Sequence, residues 1–217
     1  MTKVRTAILV SGRGSNMASL IAAAEADPAF PAAFALVLSN RPGAGALARA
    51  AEHGIETAVV DHKAYPDREA FDRALDARLR DSGIELVCLA GFMRLLTPWL
   101  VETWLDRMLN IHPALLPSYK GLHTHERALA DGVKLHGCTV HLVRSEMDAG
   151  PIVAQAAVPV VTGDTPDTLS ARVLEAEHRL YPLALSLWAS GRAKVEDEKV
   201  VVSGEGAAPA ALVWPAA

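Results

Sequence analysis

Short runs of mainly apolar residues alternate with stretches of helical character through the first half of this chain. The first run is Ala7-Ile8-Leu9-Val10, and similar runs lie at residues 34–38, 57–60, 86–90 and 108–111. Uninterrupted apolar runs of this length are typical of strands that are buried on both faces. Because strand–helix–strand units form right-handed crossovers, the pattern predicts an α/β fold with a mainly parallel, twisted sheet and helices on both faces. In such a sheet, ligands bind beyond the carboxyl ends of the strands.

The second half of the chain has a different strand pattern. Two strand-like runs at residues 138–143 and 152–160 flank a short loop, and their close spacing predicts an antiparallel hairpin. A terminal hairpin is predicted around Val195 and Val200. We expect a single domain over residues 1–203, of which residues 1–108 form a phosphate-binding half. An Ala- and Pro-rich tail over residues 204–217 is expected to be mobile.

A long helix is predicted from about Pro166 to Ala189. Its apolar residues recur at helical spacing, which places one set of side chains on the core side: Leu169, Val173, Leu180 and Leu187. Glu175, Glu177, His178 and Arg179 are predicted to lie on its other faces.

Composition favours a cytoplasmic protein that acts on small molecules. The chain has 217 residues, a net charge of −4 and no basic run, so no nucleic-acid surface is expected. None of its apolar runs reaches the roughly 20 residues that a membrane span needs. The two cysteines are too few for a secreted disulfide framework. Cys88 is expected to be a buried core thiol, and no neighbouring base suggests that Cys138 is a nucleophile.

A glycine-rich segment, Ser11-Gly12-Arg13-Gly14-Ser15-Asn16, follows the first strand and precedes a helix. The amide groups and dipole of a helix N-terminus favour an anion there, so the segment is predicted to bind phosphate. Ser15 or Asn16 is also a candidate helix cap. The alternative is a tight turn without a ligand. A dinucleotide is disfavoured because Met17 replaces the third glycine of that motif and no acidic residue follows the second strand.

Two polar residues end the fifth predicted strand. Asn110 and His112 are two residues apart, so both side chains point to the same side of the strand, at the edge where ligands bind. The alternative is a histidine that only bonds a loop carbonyl. Asp148, before Gly150-Pro151, is by itself an ordinary turn residue. A carboxylate close to His112 would orient that imidazole and assist proton transfer.

The eight histidines of the chain raise the possibility of a zinc site. No pair of cysteines and no His-Glu-x-x-His helix supports one, and His136 and His141 are expected to face opposite sides of one strand. We therefore expect no metal.

Several motifs in order resemble one family. The chain contains Ala90-Gly91-Phe92-Met93-Arg94-Leu95-Leu96, Asn110-Ile111-His112-Pro113-Ala114-Leu115-Leu116-Pro117, Gly121-Leu122-His123-Thr124-His125, Asp148-Ala149-Gly150-Pro151 and Glu175-Ala176-Glu177-His178, besides the glycine-rich segment. Residues 7–195 closely resemble the glycinamide ribonucleotide formyltransferase family, the folate-dependent enzymes of purine biosynthesis. The resemblance implies a Rossmann-like formyltransferase fold. It makes residues 109–203 the catalytic and folate-binding half.

The resemblance also implies roles for individual residues. Asn110, His112 and Asp148 would be catalytic, without a metal or a covalent intermediate. The glycinamide ribonucleotide would be bound by Gly14, Ser15, Asn16, Leu174, Glu175, Ala176 and Glu177. The co-substrate 10-formyltetrahydrofolate would be bound by Arg68, Met93, Arg94, Leu95, Leu96, Asn110, Arg144, Ser145, Glu146, Met147 and Asp148. The family often has Ser where this chain has Ala114, and Gly where it has Ala149, but neither change removes a catalytic side chain.

Three other functions remain open at this point. Methionyl-tRNA formyltransferase resembles the same core but has an additional C-terminal domain, and formyltetrahydrofolate hydrolase usually has an additional N-terminal one. A folate- or nucleotide-binding protein without activity would leave the combination of Asn110, His112 and Asp148 unexplained. We expect small-molecule substrates, no nucleic acid or membrane partner, and a monomer or homodimer.

Overall fold

A computed structural model describes residues 2–204, 206, 214 and 215 of the chain. Most of the predicted tail therefore lies outside the described residues. The chain divides into two compact units. The first unit extends to Asn110 and includes residues 142–145, and the second comprises residues 111–141 and those from 146 onward.

The first unit is built on parallel strands in the order β3-β2-β1-β4-β5. Their bounds are β1 Val4–Val10, β2 Ala32–Ser39, β3 Glu56–Val59, β4 Leu86–Leu89 and β5 Met108–His112. Neighbouring strands pair in parallel throughout this order. The carboxyl ends of β1, β2 and β3 therefore lie at one edge, where the loops that follow them are available to a ligand.

Helices connect these strands: α1 Ser15–Ala26, α2 Gly45–Glu52, α3 Arg68–Asp81 and α4 Pro98–Thr103, with a short 3₁₀ helix at His62–Ala64. Apolar side chains of β1, β2 and β4 pack with those of α3 and α4 in one core cluster. Phe71, Leu75 and Leu79 are almost fully buried in it because they recur at helical spacing along α3. Cys88 is fully buried on β4, as predicted.

The second unit contains α5 Thr124–Ala130, the strands β6 Leu135–Leu142 and β7 Ile152–Pro159, the long helix α6 Pro166–Ala189, and the hairpin β8 Ala193–Glu196 with β9 Lys199–Val202. β6 pairs antiparallel with β7, and β8 with β9, so both predicted hairpins are confirmed. Among the described residues, no helix combines the length and apolar character that crossing a membrane requires.

The predicted α/β class, with mainly parallel pairing and an antiparallel C-terminal portion, is confirmed. Two local predictions are wrong. Neither Ser15 nor Asn16 caps α1, because the N-cap is Gly14 in the left-handed conformation (φ 76°) and the helix already includes both residues. Glu177 is 6% exposed and lies on the buried side of α6, since it is one helical turn from Val173 and shares its face.

Candidate active site

The Asp148 carboxylate lies close to two histidine rings in the second unit. Its Oδ2 is 3.5 Å from His112 Nδ1, and its Oδ1 is 3.7 Å from His141 Nε2. Its side chain is 11% exposed and those of His112 and His141 are 7% and 3% exposed. Water screens the interaction of this carboxylate with the two rings only weakly, because all three side chains are largely enclosed. The contact that the sequence could only suggest is therefore present.

His112 is held from both sides of its ring. Nε2 is 2.9 Å from the carbonyl oxygen of Tyr119. Since a carbonyl oxygen can only accept, Nε2 carries a hydrogen and Nδ1 is the nitrogen that faces Asp148. The 3.5 Å separation of Nδ1 and Oδ2 is longer than a strong charge-assisted hydrogen bond. With Nε2 as the donor, Nδ1 of the neutral ring bears a lone pair, and it can donate to a further acceptor only when the ring is the doubly protonated imidazolium.

The loop between β5 and α5 supplies the backbone groups that fix this pair. Gly121 N–H donates to Asp148 Oδ2 at 2.8 Å, and the Tyr119 carbonyl accepts from His112. Tyr119, Gly121 and His123 all have left-handed backbone, with φ of 57°, 82° and 57°. Such alternation turns successive peptide groups in different directions, which lets one loop present both a donor and an acceptor.

Asp148 itself has left-handed backbone, with φ of 53°. Outside glycine this conformation is uncommon, and Asp and Asn tolerate it best. Asp148 lies within the loop between β6 and β7, and its left-handed backbone directs the carboxylate toward His112 and His141. Strain of this kind is typical of functional sites.

Asn110 and His112 lie two residues apart at the end of β5, as predicted, and so point to the same side of that strand. His112 is 5% exposed and Asn110 is half-buried.

His141 was missed as a partner of Asp148, because the sequence presented it only as a candidate zinc ligand. It lies on β6, seven residues before Asp148, and is 2% exposed. His136, on the same strand, contacts other groups. Its ring packs edge-on against Tyr119, with centroids 5.7 Å apart, and against His125 at 5.3 Å. Burial lowers the pKa of His136 to about 4, and the nearby His125 adds to this effect.

The glycine-rich segment forms the turn between β1 and α1 in the first unit. A Cβ on Gly14 would lie 2.6 Å from Ala46 Cβ, so both its left-handed backbone and its packing require glycine. Ser11 Oγ donates to Asn40 Oδ1 at 2.6 Å and accepts from Met93 N–H at 2.8 Å. These bonds hold the turn while α1 begins at Ser15 with Asn16 almost buried. The predicted anion site thus has a helix of 12 residues behind it.

The predicted folate residues of the first unit include two exposed apolar side chains, Met93 and Leu95, which are 66% and 55% exposed. Their loop ends at Thr97, whose N–H and hydroxyl both donate to Asp72 Oδ2, at 2.6 and 2.7 Å. Burial raises the pKa of Asp72, although the bonds from Thr97 oppose that shift. The Arg94 guanidinium lies 5.7 Å above the Phe71 ring.

The other predicted folate residues have ordinary surface environments. Arg68 is exposed at the start of α3, and Leu96 is half-buried. Arg144 is 2.8 Å from Asp106 Oδ1 in an ion pair, and Ser145 is exposed. In the second unit, Glu146 accepts from Lys120 Nζ at 2.9 Å and Met147 is 50% exposed.

Residues 174–177 form one turn of α6. Leu174 is half-buried, Glu175 is exposed, and Ala176 and Glu177 are buried. Glu177 faces the Cys138 thiol, whose pKa is raised to about 12 by burial and by this carboxylate. A thiol with such a pKa is not a nucleophile near neutral pH, which agrees with the prediction for Cys138.

Comparison with known proteins identifies the family. The formyl transferase family model matches residues 4–185. Phosphoribosylglycinamide formyltransferase of Escherichia coli is 42% identical over 198 residues, which cover 91% of this chain and 93% of that protein. The trifunctional purine biosynthetic protein adenosine-3 of Gallus gallus is 50% identical over 89% of this chain, but the chain spans only 19% of its length.

Solved structures show the same similarity. Glycinamide ribonucleotide transformylase 1 of Symbiobacterium toebii superimposes with a TM-score of 0.89 and 44% identity, covering 92% of this chain and 94% of that one. A formyltetrahydrofolate deformylase of Pseudomonas syringae has a TM-score of 0.85 and 28% identity, but only 66% of that chain is covered. The chain thus has the Rossmann-like fold of these glycinamide ribonucleotide transformylases. The chain belongs to the formyl transferase family.

Proposed function

We propose that this chain transfers the formyl group of 10-formyltetrahydrofolate to the amine of glycinamide ribonucleotide, in the synthesis of purines. The products are N-formylglycinamide ribonucleotide and tetrahydrofolate. The observation that carries the proposal is the contact of Asp148 with His112 at the end of β5, in a chain of the formyl transferase family. The relatives named as phosphoribosylglycinamide formyltransferases, which the chain covers almost completely, support the choice of acceptor.

Asn110 and His112 stabilise the charge that develops during transfer. The amine nitrogen attacks the formyl carbon, and the carbonyl oxygen becomes an oxyanion. The Asn110 amide and the Nδ1–H of protonated His112 donate to that oxygen, while Nε2–H of the same ring donates to the Tyr119 carbonyl. Preorganised donors of this kind stabilise the tetrahedral intermediate more than the substrate.

Asp148 moves the proton. As the new C–N bond forms, the attacking nitrogen becomes cationic and must lose one proton. Asp148 accepts this proton, directly or through water, and returns it to the folate nitrogen as the old C–N bond breaks. Its bond from Gly121 N–H and its two histidine neighbours hold the carboxylate in place. No protein nucleophile takes part, because the substrate amine is the nucleophile.

The binding residues implied by the family resemblance complete the proposal. Gly14, Ser15 and Asn16 bind the phosphate, and residues 174–177 bind the glycinamide end of the ribonucleotide. The folate is bound by Arg68, residues 93–96, Asn110 and residues 144–148. Exposed Met93, Leu95 and Met147 support this role, because a pteridine and its attached ring need apolar contact.

The decisive experiment measures release of tetrahydrofolate from 10-formyltetrahydrofolate with and without glycinamide ribonucleotide. We expect release to depend on the amine and to match the formylated product in amount. Release of formate at the same rate without the amine would instead assign the chain to the deformylases. That outcome is worth testing because a deformylase is among the structural neighbours.

The matched variant is Asp148→Asn, which keeps the shape of the side chain and removes its charge. We expect kcat to fall about a hundredfold or more, while the affinity for glycinamide ribonucleotide stays nearly unchanged. His53→Gln serves as the control, because His53 lies on the surface beside Glu25. Near-normal kcat in Asp148→Asn would remove Asp148 from the proton transfer. The cytoplasmic location and the monomeric or homodimeric state stay predictions.

A further inference from the structure

Two successive peptide groups of the loop between β5 and α5 hold the candidate catalytic pair. The carbonyl oxygen of Tyr119 accepts from His112 Nε2 at 2.9 Å. The next peptide group joins Lys120 to Gly121, and its N–H donates to Asp148 Oδ2 at 2.8 Å. A side chain that fixes these two peptide groups therefore also fixes the imidazole and the carboxylate that carry the proposed chemistry.

Arg127 of α5 binds the second of these peptide groups at its other end. Its Nη1 donates to the carbonyl oxygen of Lys120 at 2.7 Å and to that of Leu122 at 3.4 Å. Because a trans peptide group is planar, its C=O and N–H point in opposite directions. A cation held on the Lys120 oxygen therefore sets the direction of Gly121 N–H. It also polarises the peptide group, which makes that N–H a stronger donor to Asp148.

The same arginine restrains the first peptide group through the Tyr119 side chain. The Arg127 guanidinium carbon lies 5.4 Å from the centroid of the Tyr119 ring, within the range of a cation–π interaction. The Tyr119 hydroxyl donates to Asp131 Oδ2 at 2.9 Å, just after α5 ends. The ring is thus held at its face and at its hydroxyl, and its own carbonyl oxygen binds His112.

The position of Arg127 on α5 explains how it reaches the loop. Side chains of a helix lean toward its N-terminus, so the guanidinium extends over the residues that precede α5. Those residues include three left-handed positions, Tyr119, Gly121 and His123, with φ of 57°, 82° and 57°. Backbone of this kind persists only where the surroundings compensate for it. The two bonds from Arg127 to loop carbonyls provide such compensation.

We propose that Arg127 is a positioning residue for the transfer reaction, which aligns Asp148 through the peptide group of Gly121 and His112 through Tyr119. The inference rests on the proposed function, because it assigns the same roles to Asp148 and His112. Arg127 acts on the groups that move the proton and bind the oxyanion, so its loss lowers kcat and leaves the binding of both substrates nearly unchanged.

The test compares the full chain with Arg127→Met, which keeps a long side chain beside Tyr119 and removes the charge and the donors. We expect kcat to fall about tenfold, with both KM values within about twofold of the wild type. In the same variant, hydrogen exchange of the Gly121 amide, followed by NMR in the free protein, should become about fivefold faster or more, while the amides of β1 keep their rates. Arg127→Lys, which restores a cationic donor, should recover part of kcat and slow the Gly121 exchange again.

Arg107→Met is the matched control. Arg107 is also exposed, its Nη2 donates to the Thr103 carbonyl at 2.6 Å, and its guanidinium carbon lies 4.6 Å from the centroid of the Trp104 ring. Its loss removes the same kinds of contact from the first unit and should leave kcat and Gly121 exchange unchanged.

Three results would overturn the proposal. The first is a wild-type kcat or an unchanged Gly121 exchange rate in Arg127→Met. The second is equally faster exchange at Gly121 and in β1, which would mean a general loss of stability. The third is a raised KM with unchanged kcat, which would mean that Arg127 binds a substrate. If the wild type shows no transfer to glycinamide ribonucleotide, the proposed function fails, and the exchange rates still decide whether Arg127 fixes the peptide group that holds Asp148.

Discussion

His136 is enclosed on β6 by two aromatic rings and is 1% exposed. Burial lowers its pKa to about 4, whereas an unfolded histidine titrates near pH 6.5. The folded state therefore binds this proton more weakly than the unfolded state does. Above about pH 6.5 this group does not reduce the free energy of unfolding. As the pH falls from there toward 4, the unfolded chain takes up the proton and the free energy of unfolding decreases.

We expect this group alone to lower the free energy of unfolding by on the order of 3 kcal/mol between about pH 6.5 and pH 4. The nearby His125 and His112 also face His136, and the lowered pKa of His125 adds to the same loss. Urea unfolding of His136→Gln should show a shallower dependence on pH over this range than the wild type. His53→Gln should keep the wild-type slope. Parallel curves for wild type and His136→Gln would contradict the buried, neutral state of His136.

Some residues of the candidate active site could be predicted from the sequence alone, and others could not. The two-residue spacing of Asn110 and His112 was enough to put both on one side of β5. The approach of Asp148 to His112 was not readable from hydrophobic periodicity. It depends on left-handed backbone at Tyr119 and Asp148 and on one bond from Gly121 N–H, none of which leaves an apolar pattern. Only the family resemblance supplied Asp148.

At the scale of elements, α6 is tied to the end of β7 through Asp164. Arg172 of α6 donates to both carboxylate oxygens, at 2.8 and 2.9 Å, and also to the Pro159 carbonyl at 2.8 Å. Val161 N–H and Thr168 Oγ1 donate to the same carboxylate, whose side chain is 2% exposed. The bonds from Arg172 lower the pKa of Asp164 well below its usual range.

Asp164→Asn should lower the free energy of unfolding by about 2 kcal/mol at neutral pH, because it weakens a partly buried ion pair whose carboxylate accepts several hydrogen bonds. Glu69→Gln removes the same charge from an exposed pair with Arg73 and should cost less than about 0.5 kcal/mol. Since the pKa of Asp164 is lowered, its contribution is present above about pH 4 and declines below that pH. The difference in the free energy of unfolding between wild type and Asp164→Asn should therefore become smaller at acidic pH. If Asp164→Asn and Glu69→Gln lowered the free energy of unfolding equally, the burial of Asp164 would not contribute to stability.

The longest helix was predictable from the sequence, whereas the two shortest α-helices were not. The predicted bounds of α6, about Pro166 to Ala189, are confirmed, because its apolar residues recur at helical spacing along a helix of 24 residues. α4 and α5, with six and seven residues, contain too few turns for a period to emerge. Glu177 was assigned to the wrong face because its charge was weighed above its position one turn after Val173.

At the scale of the whole molecule, the histidines are spread over unrelated contacts. His53 pairs with Glu25 at 2.7 Å, His62 bonds Asn40, and the rings of His125 and His136 pack on each other. In the described part of the chain, no group of three His, Cys, Asp or Glu side chains is arranged to hold a metal ion. Two histidines, His112 and His141, lie beside the same carboxylate, that of Asp148.

The proposed chemistry needs these groups without a metal. His112 must keep a hydrogen on Nδ1 to donate to the oxyanion, and Asp148 must keep a free oxygen to accept the proton. A divalent ion bound to His112 Nδ1 and to the Asp148 carboxylate would occupy the lone pairs of both groups. We therefore expect prolonged dialysis against a chelator to leave kcat and both KM values within about twofold of the untreated enzyme. The control is protein dialysed for the same time without the chelator, so that slow unfolding is not mistaken for loss of metal. Activity that disappears with the chelator and returns with added zinc would instead make Asp148, His112 and His141 a ligand set, and the transfer would have to be rewritten around a metal-bound oxyanion.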